Sequence, residues 1–241
     1  MNISKLSLLI PCYNEAVQIA ALLKKLASLT LDQGIRKEII LVNDGSTDNT
    51  ELSIQQFSQA NPEVNIEYIK HPENRGKGAS IRSALDKASG EVMVVLDADL
   101  EYDPKELNKL LKPIYDGYAD AVYGSRFRGS EAHRILFFWH TVGNKILTFL
   151  SNLFTGLNLT DMETGYKMVR MDIMRKIRLK ENRYGFEPEI TAKLSRVPNI
   201  RIYEVGISYY GRTYEEGKKI SWKDGFRTIY CIFKYNLFSR K

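Results

Sequence analysis

Strand-like and helix-like patterns alternate throughout the first 125 residues of the chain. Short apolar or alternating segments predict strands at 6–10, 38–42, 65–70 and 92–96, and a further strand begins at 121–123. Apolar residues at helical spacing predict helices at 15–29, 50–59, 77–88 and 104–115. Strands that alternate with helices form a mostly parallel sheet with helices on both faces, so the sequence predicts an α/β fold.

The pattern changes after Arg126, where residues 127–135 are basic and polar. Residues 135–154 then follow the pattern of an amphipathic helix. Its apolar stripe consists of Ile135, Phe138, Val142, Ile146, Phe149 and Leu153. Further helices are predicted near 186–196 and over 221–238. Because no repeat or low-complexity linker interrupts the chain, we expect a single domain over 1–241, in which 127–241 elaborate the half formed by 1–126.

Large aromatic residues are concentrated in this second half. Phe137, Phe138 and Trp139 stand together, with Arg134 and Lys145 nearby. An aromatic face with basic flanks is typical of a helix that lies at a membrane interface. Packing against the sheet and contact with a second copy in a homodimer are the alternatives. The aromatic and basic run 226–241 is a second candidate of the same kind.

Composition and charge narrow the class of protein. Forty-four per cent of the 241 residues are hydrophobic, enough for a core, and the net charge of +6 favours anionic partners without choosing among them. The aromatics lie in an apolar helix rather than a basic groove, which argues against nucleic acid. The longest charge-free stretch of the apolar middle region, 146–160, is shorter than the roughly 20 residues of a transmembrane helix. With no leader pattern and two distant cysteines, Cys12 and Cys231, we expect a cytoplasmic protein.

Polar clusters follow the predicted strands at the edge where ligands bind in parallel α/β sheets. The clusters are Pro11-Cys12-Tyr13-Asn14-Glu15, Asn43-Asp44-Gly45-Ser46-Thr47-Asp48, Asn74-Arg75-Gly76-Lys77-Gly78, Asp97-Ala98-Asp99 and Ser125-Arg126. Helix-capping turns are the alternative explanation of each. The glycine-rich cluster lacks the spacing of a phosphate-binding P-loop, which excludes a nucleotide hydrolase of that type.

Asp97-Ala98-Asp99 is the strongest local signal. A buried strand delivers two carboxylates into a loop, and Mg²⁺ is usually held by one or two carboxylates together with substrate phosphates. Such an ion neutralises charge on a departing diphosphate. The pattern therefore predicts a divalent cation, Mg²⁺ or Mn²⁺, at this strand end.

Together, the motifs resemble family 2 glycosyltransferases. Pro-x-Tyr-Asn-Glu, Asp-Gly-Ser-x-Asp, Arg-Gly-Lys-Gly and Asp-x-Asp occur here in that family's order. Within the family the chain is similar to polyprenyl-phosphate (dolichyl-phosphate-type) mannosyl- or glucosyltransferases, through 97–101, 124–127 and 212–219. The resemblance implies the GT-A fold, a Rossmann-like, mostly parallel sheet with a C-terminal amphipathic helical elaboration. It also implies a nucleotide-sugar-binding half, 1–126, and an acceptor- and membrane-facing half, 127–241.

The resemblance also implies roles for individual residues. The nucleotide would be bound by Pro11, Tyr13, Glu15, Asp44, Asp97 and Ala98. Asp99 would hold the metal, with Glu101 as a second ligand where the family often has Gln. Arg212 and Lys218, in a glycine-flanked loop that closes over the diphosphate, would act in catalysis beside Asp99. Phosphate or acceptor contacts would come from Arg126, Glu189 and Asp161, and Glu187 is a further candidate to face the acceptor. Surface charge is the alternative for Arg126, and a turn or cap role is the alternative for Asp161.

The implied reaction is the inverting transfer of a hexose from a nucleotide sugar, of the UDP-glucose or GDP-mannose type, to a polyprenyl phosphate at the inner face of the membrane. A lipid phosphate is already anionic, whereas a sugar hydroxyl needs a carboxylate base. Phe186-Glu187-Pro188-Glu189 replaces the Glu-Asp pair of many sugar-acceptor members, which weakens the alternative of transfer to a saccharide hydroxyl. A nucleotidyltransferase is the alternative from another class, but such enzymes usually place a glycine-rich basic loop where this chain has Tyr13-Asn14-Glu15.

Overall fold

The computed structural model describes residues 3–129, 134–135, 138–212 and 222–238. In this part of the chain, seven strands form one sheet in the order β3-β2-β1-β4-β6-β5-β7. The strands are β1 (Lys5–Cys12), β2 (Arg36–Asn43), β3 (Ile66–Lys70), β4 (Val92–Val95), β5 (Ala121–Ser125), β6 (Lys167–Arg170) and β7 (Ile202–Gly206). Only β6 runs antiparallel to its neighbours within this described sheet, which confirms the mostly parallel α/β fold.

Helices cover both faces of the sheet. They are α1 (Ile19–Ser28), α2 (Thr50–Ala60), α3 (Lys77–Leu85), α4 (Leu107–Tyr115), α5 (Phe138–Thr155), α6 (Met171–Met174), α7 (Phe186–Leu194) and α8 (Trp222–Phe233), which continues as a π-helix over Lys234–Phe238. One core packs β1, β2 and β4 against α1, α2 and α4. A second core packs the opposite face of the sheet against α3, α6 and α7.

The first helix begins at Ile19, four residues later than the periodicity predicted. The preceding turn holds Asn14 in the left-handed region, with φ of 50°. The next two backbone N–H groups donate to side chains of the neighbouring segment, Glu15 N to Thr50 Oγ1 and Ala16 N to Asp48 Oδ2. These bonds fix residues 14–16 as a loop at the end of β1, which leaves Tyr13 and Glu15 at the ligand-binding edge of the sheet.

The apolar stripe of α5 points outward. Phe138, Trp139 and Phe149 are strongly exposed, whereas the opposite side buries Thr148 and Ser151. Leu147, Leu150 and Phe154 make the contacts of α5 with the core, and Phe154 also packs against Phe233 of α8. Among the described helices, none combines the length and hydropathy that spanning a bilayer requires.

Candidate active site

The loop after β1 and the loop after β2 form one wall of the site. Asp44 lies at the end of β2, where its carboxylate is almost fully buried. It accepts hydrogen bonds from His71 Nδ1 (2.6 Å), Gly76 N (2.7 Å) and Arg75 N (3.1 Å). Asp44 therefore ties the end of β2 to the glycine-rich loop before α3. Of the predicted nucleotide contacts, Pro11 and Tyr13 stay half-exposed beside it.

The carboxylate of Asp99 lies near those of Asp97 and Glu101, next to this wall. Asp99 and Glu101 follow β4, and Glu101 N donates to Asp99 Oδ1 at 3.1 Å. Burial, then repulsion from Asp97 and Glu101, raises the pKa of Asp99 to about 7. A cation placed there relieves this repulsion, because an opposite charge favours the ionised carboxylate.

Arg212 supplies a positive charge to this cluster from within the chain. Its two terminal nitrogens each lie 3.1 Å from an oxygen of Glu15, and Nη2 lies 3.6 Å from Asp99 Oδ2. Its backbone N–H donates to Glu101 at 2.8 Å. The structure thus joins Glu15, Asp99, Glu101 and Arg212, residues from three distant parts of the sequence that were all predicted to belong to the site.

The donor set fits the expected Mg²⁺ or Mn²⁺. The described residues contain no group of three or more histidine, cysteine or acidic side chains arranged around a common metal position. Two carboxylates suffice for Mg²⁺ when substrate phosphates complete its shell. Asp99 and Glu101 supply such a pair, since Glu101 N donates to Asp99 Oδ1 and the two side chains follow the same strand, and the negative charges of Asp97 and Glu101 beside Asp99 favour a cation there.

Asp97 belongs to a second, adjacent cluster that the sequence did not reveal. Lys77 Nζ lies 2.9 Å from Asp97 Oδ1 and 2.8 Å from Glu187 Oε1, so it bridges β4 and α7. Glu163 lies close enough for the charge on Glu187 to add to the effect of burial, and together they raise the pKa of Glu163 to about 8. Asp97 thus pairs with the glycine-rich loop, while the side chain of Ala98 is buried in the core and leaves only backbone atoms for a nucleotide.

Arg126 and Asp161 form a buried ion pair at the end of β5. Arg126 donates from Nε (2.7 Å) and Nη2 (2.8 Å) to Asp161, whose side chain has no exposed surface. The Arg126 guanidinium also lies over the ring of Tyr209, 5.2 Å from its centroid, and Tyr209 OH donates to Glu101 at 2.6 Å. Tyr209 therefore connects the ion pair to the carboxylate cluster.

The expected acceptor contacts of Asp161 and Glu189 need correction. Asp161 is fully enclosed, and it orients Arg126 rather than facing a ligand. Glu189 also has no exposed surface, because it accepts hydrogen bonds from the backbone N–H groups of Lys180 and Glu181, both at 2.7 Å, and pairs with Lys193. The other glutamate of this segment, Glu187, is the one that faces the site. Lys218, the second predicted loop cation, lies outside the described residues.

A cavity of about 510 Å³ opens beside Arg126, between the end of β5 and α5. Arg126, Arg128 and Lys145 contribute positive charge to its lining. Its apolar lining is formed by Phe127, Phe149, Leu159 and Ile207. Phe149 also belongs to the exposed face of α5, so the cavity is continuous with that face.

Lys77 and Glu187 stand in segments that the sequence analysis singled out, whereas His71, Glu163 and Tyr209 were missed. All five owe their place to a contact with a residue far along the chain, such as His71 with Asp44 or Lys77 with Glu187. For Lys77, the position directly after the glycine-rich turn was an available signal, since a lysine that opens a helix at a strand-end loop is well placed to reach the site. The others carry no local signal of this kind.

Two known enzymes and one solved structure are similar to this chain. A dodecaprenyl-phosphate galacturonate synthase of Rhizobium johnstonii is 26% identical, over 98% of this chain and 68% of the relative's length. A dolichol-phosphate mannosyltransferase of Pyrococcus furiosus is 28% identical, over 96% of this chain and 64% of the relative's length. The crystal structure of glucosyl-3-phosphoglycerate synthase from Mycobacterium tuberculosis with Mn²⁺, UDP and glucosyl-3-phosphoglycerate has the same fold, with a TM-score of 0.71 and 19% identity over 97% of this chain and 80% of that one.

The chain therefore spans about two thirds of the length of these two relatives. The family described as Glycosyl transferase family 2 matches residues 7–178, well over half of the chain. The motifs that suggested this family at the strand ends all fall inside the matched segment. The match and the mostly parallel sheet with its carboxylate edge lead to one conclusion: the chain belongs to glycosyl transferase family 2.

Proposed function

We propose that this protein transfers a hexose from a nucleoside diphosphate sugar to a polyprenyl phosphate, with inversion at the anomeric carbon. The cavity beside Arg126 is the observation that carries this proposal, because it joins a cationic lining to the exposed apolar face of α5. A phosphate fits the cationic part, and an isoprenoid chain fits the apolar part. Two relatives are named for dodecaprenyl and dolichol phosphates, which supports the same class of acceptor.

The donor fits the carboxylate edge of the sheet. We assign Pro11, Tyr13, Glu15 and Asp44 to the base and ribose, and Asp99 and Glu101 to a divalent cation, because all six lie at or after the end of β1, β2 or β4 at the same edge of the sheet. That cation, when bound, supplies charge neutralisation to the leaving diphosphate. Arg212 reaches the same position and is placed to hold the diphosphate once the donor separates it from Glu15.

The reaction is a single displacement. A phosphate oxygen of the lipid forms a bond to the anomeric carbon, while the bond from that carbon to the diphosphate oxygen breaks and the nucleoside diphosphate leaves. Attack from the side opposite the leaving group inverts the anomeric centre. Because the attacking phosphate is already anionic, the protein needs only to hold two anions in line. The positive charges of Arg126, Arg128 and Lys145 attract the lipid phosphate to this position.

Transfer to a saccharide hydroxyl is less well supported. That reaction needs a carboxylate base near the anomeric carbon. Glu187 is the nearest candidate of its segment, but it is paired with Lys77 at 2.8 Å, and such a cation weakens a carboxylate as a base. The exposed faces of α5 and α8 add support for a lipid acceptor and for work at a membrane surface, which we place on the cytoplasmic side.

A direct assay tests the proposal. Purified protein with Mg²⁺ or Mn²⁺ is incubated with a panel of UDP- and GDP-sugars, each with a short polyprenyl phosphate, the matching polyprenol, or an oligosaccharide. We expect a glycosyl phosphate lipid and free nucleoside diphosphate only with the polyprenyl phosphate, as read by mass spectrometry. Product with the oligosaccharide and none with the lipid phosphate would overturn the proposed acceptor.

A further inference from the structure

His71 is a buried ionisable residue that the proposed displacement does not use. It follows β3, and its side chain is almost fully enclosed. Both ring nitrogens have partners, since Nδ1 lies 2.6 Å from Asp44 Oδ1 and Nε2 lies 2.9 Å from the hydroxyl oxygen of Ser83 on α3. The ring therefore joins the end of β2 to α3, at the edge of the sheet where the nucleotide is proposed to bind.

The other donors to Asp44 determine where this ring carries its proton. Arg75 N donates to Oδ1 at 3.1 Å and Gly76 N donates to Oδ2 at 2.7 Å, and a backbone N–H can only donate. Asp44 thus acts as an ionised acceptor, so Nδ1 of His71 holds a proton and donates it to Oδ1. In the neutral ring, Nε2 then accepts from the hydroxyl group of Ser83.

The segment after β3 is packed against the backbone on both sides of Asp44. His71 N donates to the carbonyl oxygen of Asn43 at 2.9 Å. A Cβ placed on Gly45, whose φ is 67°, would lie 2.4 Å from the backbone carbonyl carbon of Glu73. The two backbone segments are thus fixed against each other, which holds the ring of His71 and the carboxylate of Asp44 in one arrangement.

One oxygen of Asp44 keeps the capacity to accept from a ligand. Within the described part of the chain, Oδ2 receives a single hydrogen bond, that from Gly76 N, and a carboxylate oxygen can accept two. Oδ1 receives two, from His71 and Arg75. Three donors therefore fix the plane of the carboxylate and leave one acceptor position. Loss of the side-chain donor would free the carboxylate to rotate about its Cβ–Cγ bond.

We infer that His71 is a positioning residue for the nucleoside of the donor: its N–H orients Asp44, and Ser83 keeps the proton on the nitrogen that faces Asp44. The inference rests on the proposed function, because it takes Asp44 to contact the base or ribose. His71 itself touches no part of the donor. It fixes the acceptor in advance, so the cost of ordering that carboxylate is not subtracted from the binding free energy.

Two variants of His71 test the inference by ligand binding. His71→Leu keeps the volume of the side chain and removes its N–H, whereas His71→Asn keeps an N–H donor near the position of Nδ1. Affinities for UMP, GMP and, at fixed Mg²⁺, inorganic diphosphate are measured by calorimetry. We expect His71→Leu to bind the preferred nucleotide at least about tenfold more weakly and His71→Asn to stay within about threefold of wild type. Affinity for inorganic diphosphate is expected to stay unchanged in both.

Ser83→Ala tests the other end of the ring. Without the hydroxyl donor, Nε2 can carry the proton in place of Nδ1, so we expect nucleotide binding to weaken by about threefold. His140→Leu is the matched control, because it makes the same change on α5, a helix with none of the predicted nucleotide contacts. Its affinities are expected to equal those of wild type.

Three results would overturn the inference. They are unchanged nucleotide affinity in folded His71→Leu, an equal loss in His71→Asn, and an equal loss of nucleotide and diphosphate affinity, which would indicate a general distortion of this edge. Thermal melts identify variants that do not fold. If His71→Leu does not fold, Ser83→Ala decides, and wild-type nucleotide affinity in that variant would refute the role of the ring.

Nucleotide binding requires neither an acceptor nor transfer, so the two proposals fail separately. The expected affinities without transfer to polyprenyl phosphate would remove the lipid acceptor and leave the role of His71. Unchanged nucleotide affinity in the variants, with normal transfer to polyprenyl phosphate by the wild-type protein, would keep the proposed function and remove the inference. A wild-type protein that binds neither nucleotide would overturn both.

Discussion

Asp99 is the residue at which the charges of the donor site converge. Asp97 and Glu101 repel its ionised form, burial adds to the effect, and Arg212 opposes it from 3.6 Å. Arg212 also binds Glu15, so the same guanidinium balances a residue predicted to bind the nucleotide and residues predicted to hold a metal. Under the proposed function, a donor that arrives with its divalent cation would replace the charge balance that Arg212 provides.

Asp99→Asn is expected to reduce transfer by at least about 10²-fold with the fold intact, because an amide has no charge with which to hold the cation against the diphosphate. Turnover is measured at saturating Mn²⁺ and donor. Asp86→Asn, at an exposed position after α3, serves as the control and should keep normal turnover. Near-normal turnover of Asp99→Asn in the metal-replete assay would remove Asp99 from the metal site.

Arg212→Ala is expected to lower turnover by at least about 10²-fold while the donor KM changes little. In the proposed function the guanidinium binds the diphosphate mainly as the reaction proceeds, and its loss removes the cation that lies beside Asp99. Arg212→Lys should recover only part of the activity, because lysine lacks the planar fork. We expect the same loss for Lys218→Ala. Wild-type turnover of both alanine variants would show that this loop has no role in catalysis.

At the scale of elements, one buried carboxylate attaches α8 and its π-helical end to the rest of the protein. Glu181 accepts hydrogen bonds from Arg227 (2.6 Å), Lys234 (2.7 Å) and Tyr235 OH (2.7 Å). Burial acts against the charged form, but these bonds prevail and lower the pKa of Glu181 to about 2. The backbone of Glu181 also accepts from Arg82 of α3, so α8 is linked to the helix that follows the glycine-rich loop.

Glu181→Gln is expected to destabilise the protein by about 1–3 kcal/mol, since a neutral amide replaces a carboxylate that binds two cations. The sign of the pH dependence follows from the lowered pKa. The carboxylate stabilises the fold fully above the ordinary value of 4.5, and that stability is lost as pH falls from 4.5 toward 2. Urea unfolding of wild type and variant at pH 7 and pH 3 measures the loss of stability and its dependence on pH. If wild type and variant differ as much at pH 3 as at pH 7, the ionised carboxylate is not the cause.

The first half was predictable because its signals are local. Each strand from β1 to β4 is an apolar or alternating run next to its own helix, and the ligand-binding loops follow those strands directly. The antiparallel insertion of β6 between β4 and β5 depends on pairing across more than 40 residues, which no local pattern encodes. The same limit explains the choice between Glu187 and Glu189, because the direction of α7 against the sheet decides which one reaches Lys77.

At the scale of the whole molecule, α5 and α8 pack against each other, and their exposed apolar residues lie on both sides of the contact. Phe154 and Phe233 pack edge to face at 5.2 Å, and exposed aromatic residues flank that contact on both helices. Periodicity predicted the amphipathic pattern of α5, but not its orientation, since both of its sides carry apolar residues and only packing decides which side is covered. The outward direction of the stripe argues against the core-packing alternative, and contact with a membrane or with a second copy stays a prediction.

A triple variant in which serine replaces Phe138, Trp139 and Phe226 is expected to bind anionic vesicles at least about tenfold more weakly. Its transfer to long polyprenyl phosphates is expected to slow, while its affinity for the donor stays unchanged. Each of these side chains is exposed by 66% or more, so its removal leaves the core intact, whereas its full burial in lipid contributes about 1.5–3 kcal/mol. Val17, Leu52 and Tyr118 are exposed apolar residues of the first half, and the matching serine variant of those three should bind vesicles normally. Vesicle sedimentation, light scattering and nucleotide titration on the two variants separate the partners. If this face is instead a homodimer contact, the first variant becomes monomeric and its vesicle binding stays unaltered. That outcome would exclude this face as the membrane surface, whatever the position of Phe137, which lies outside the described residues.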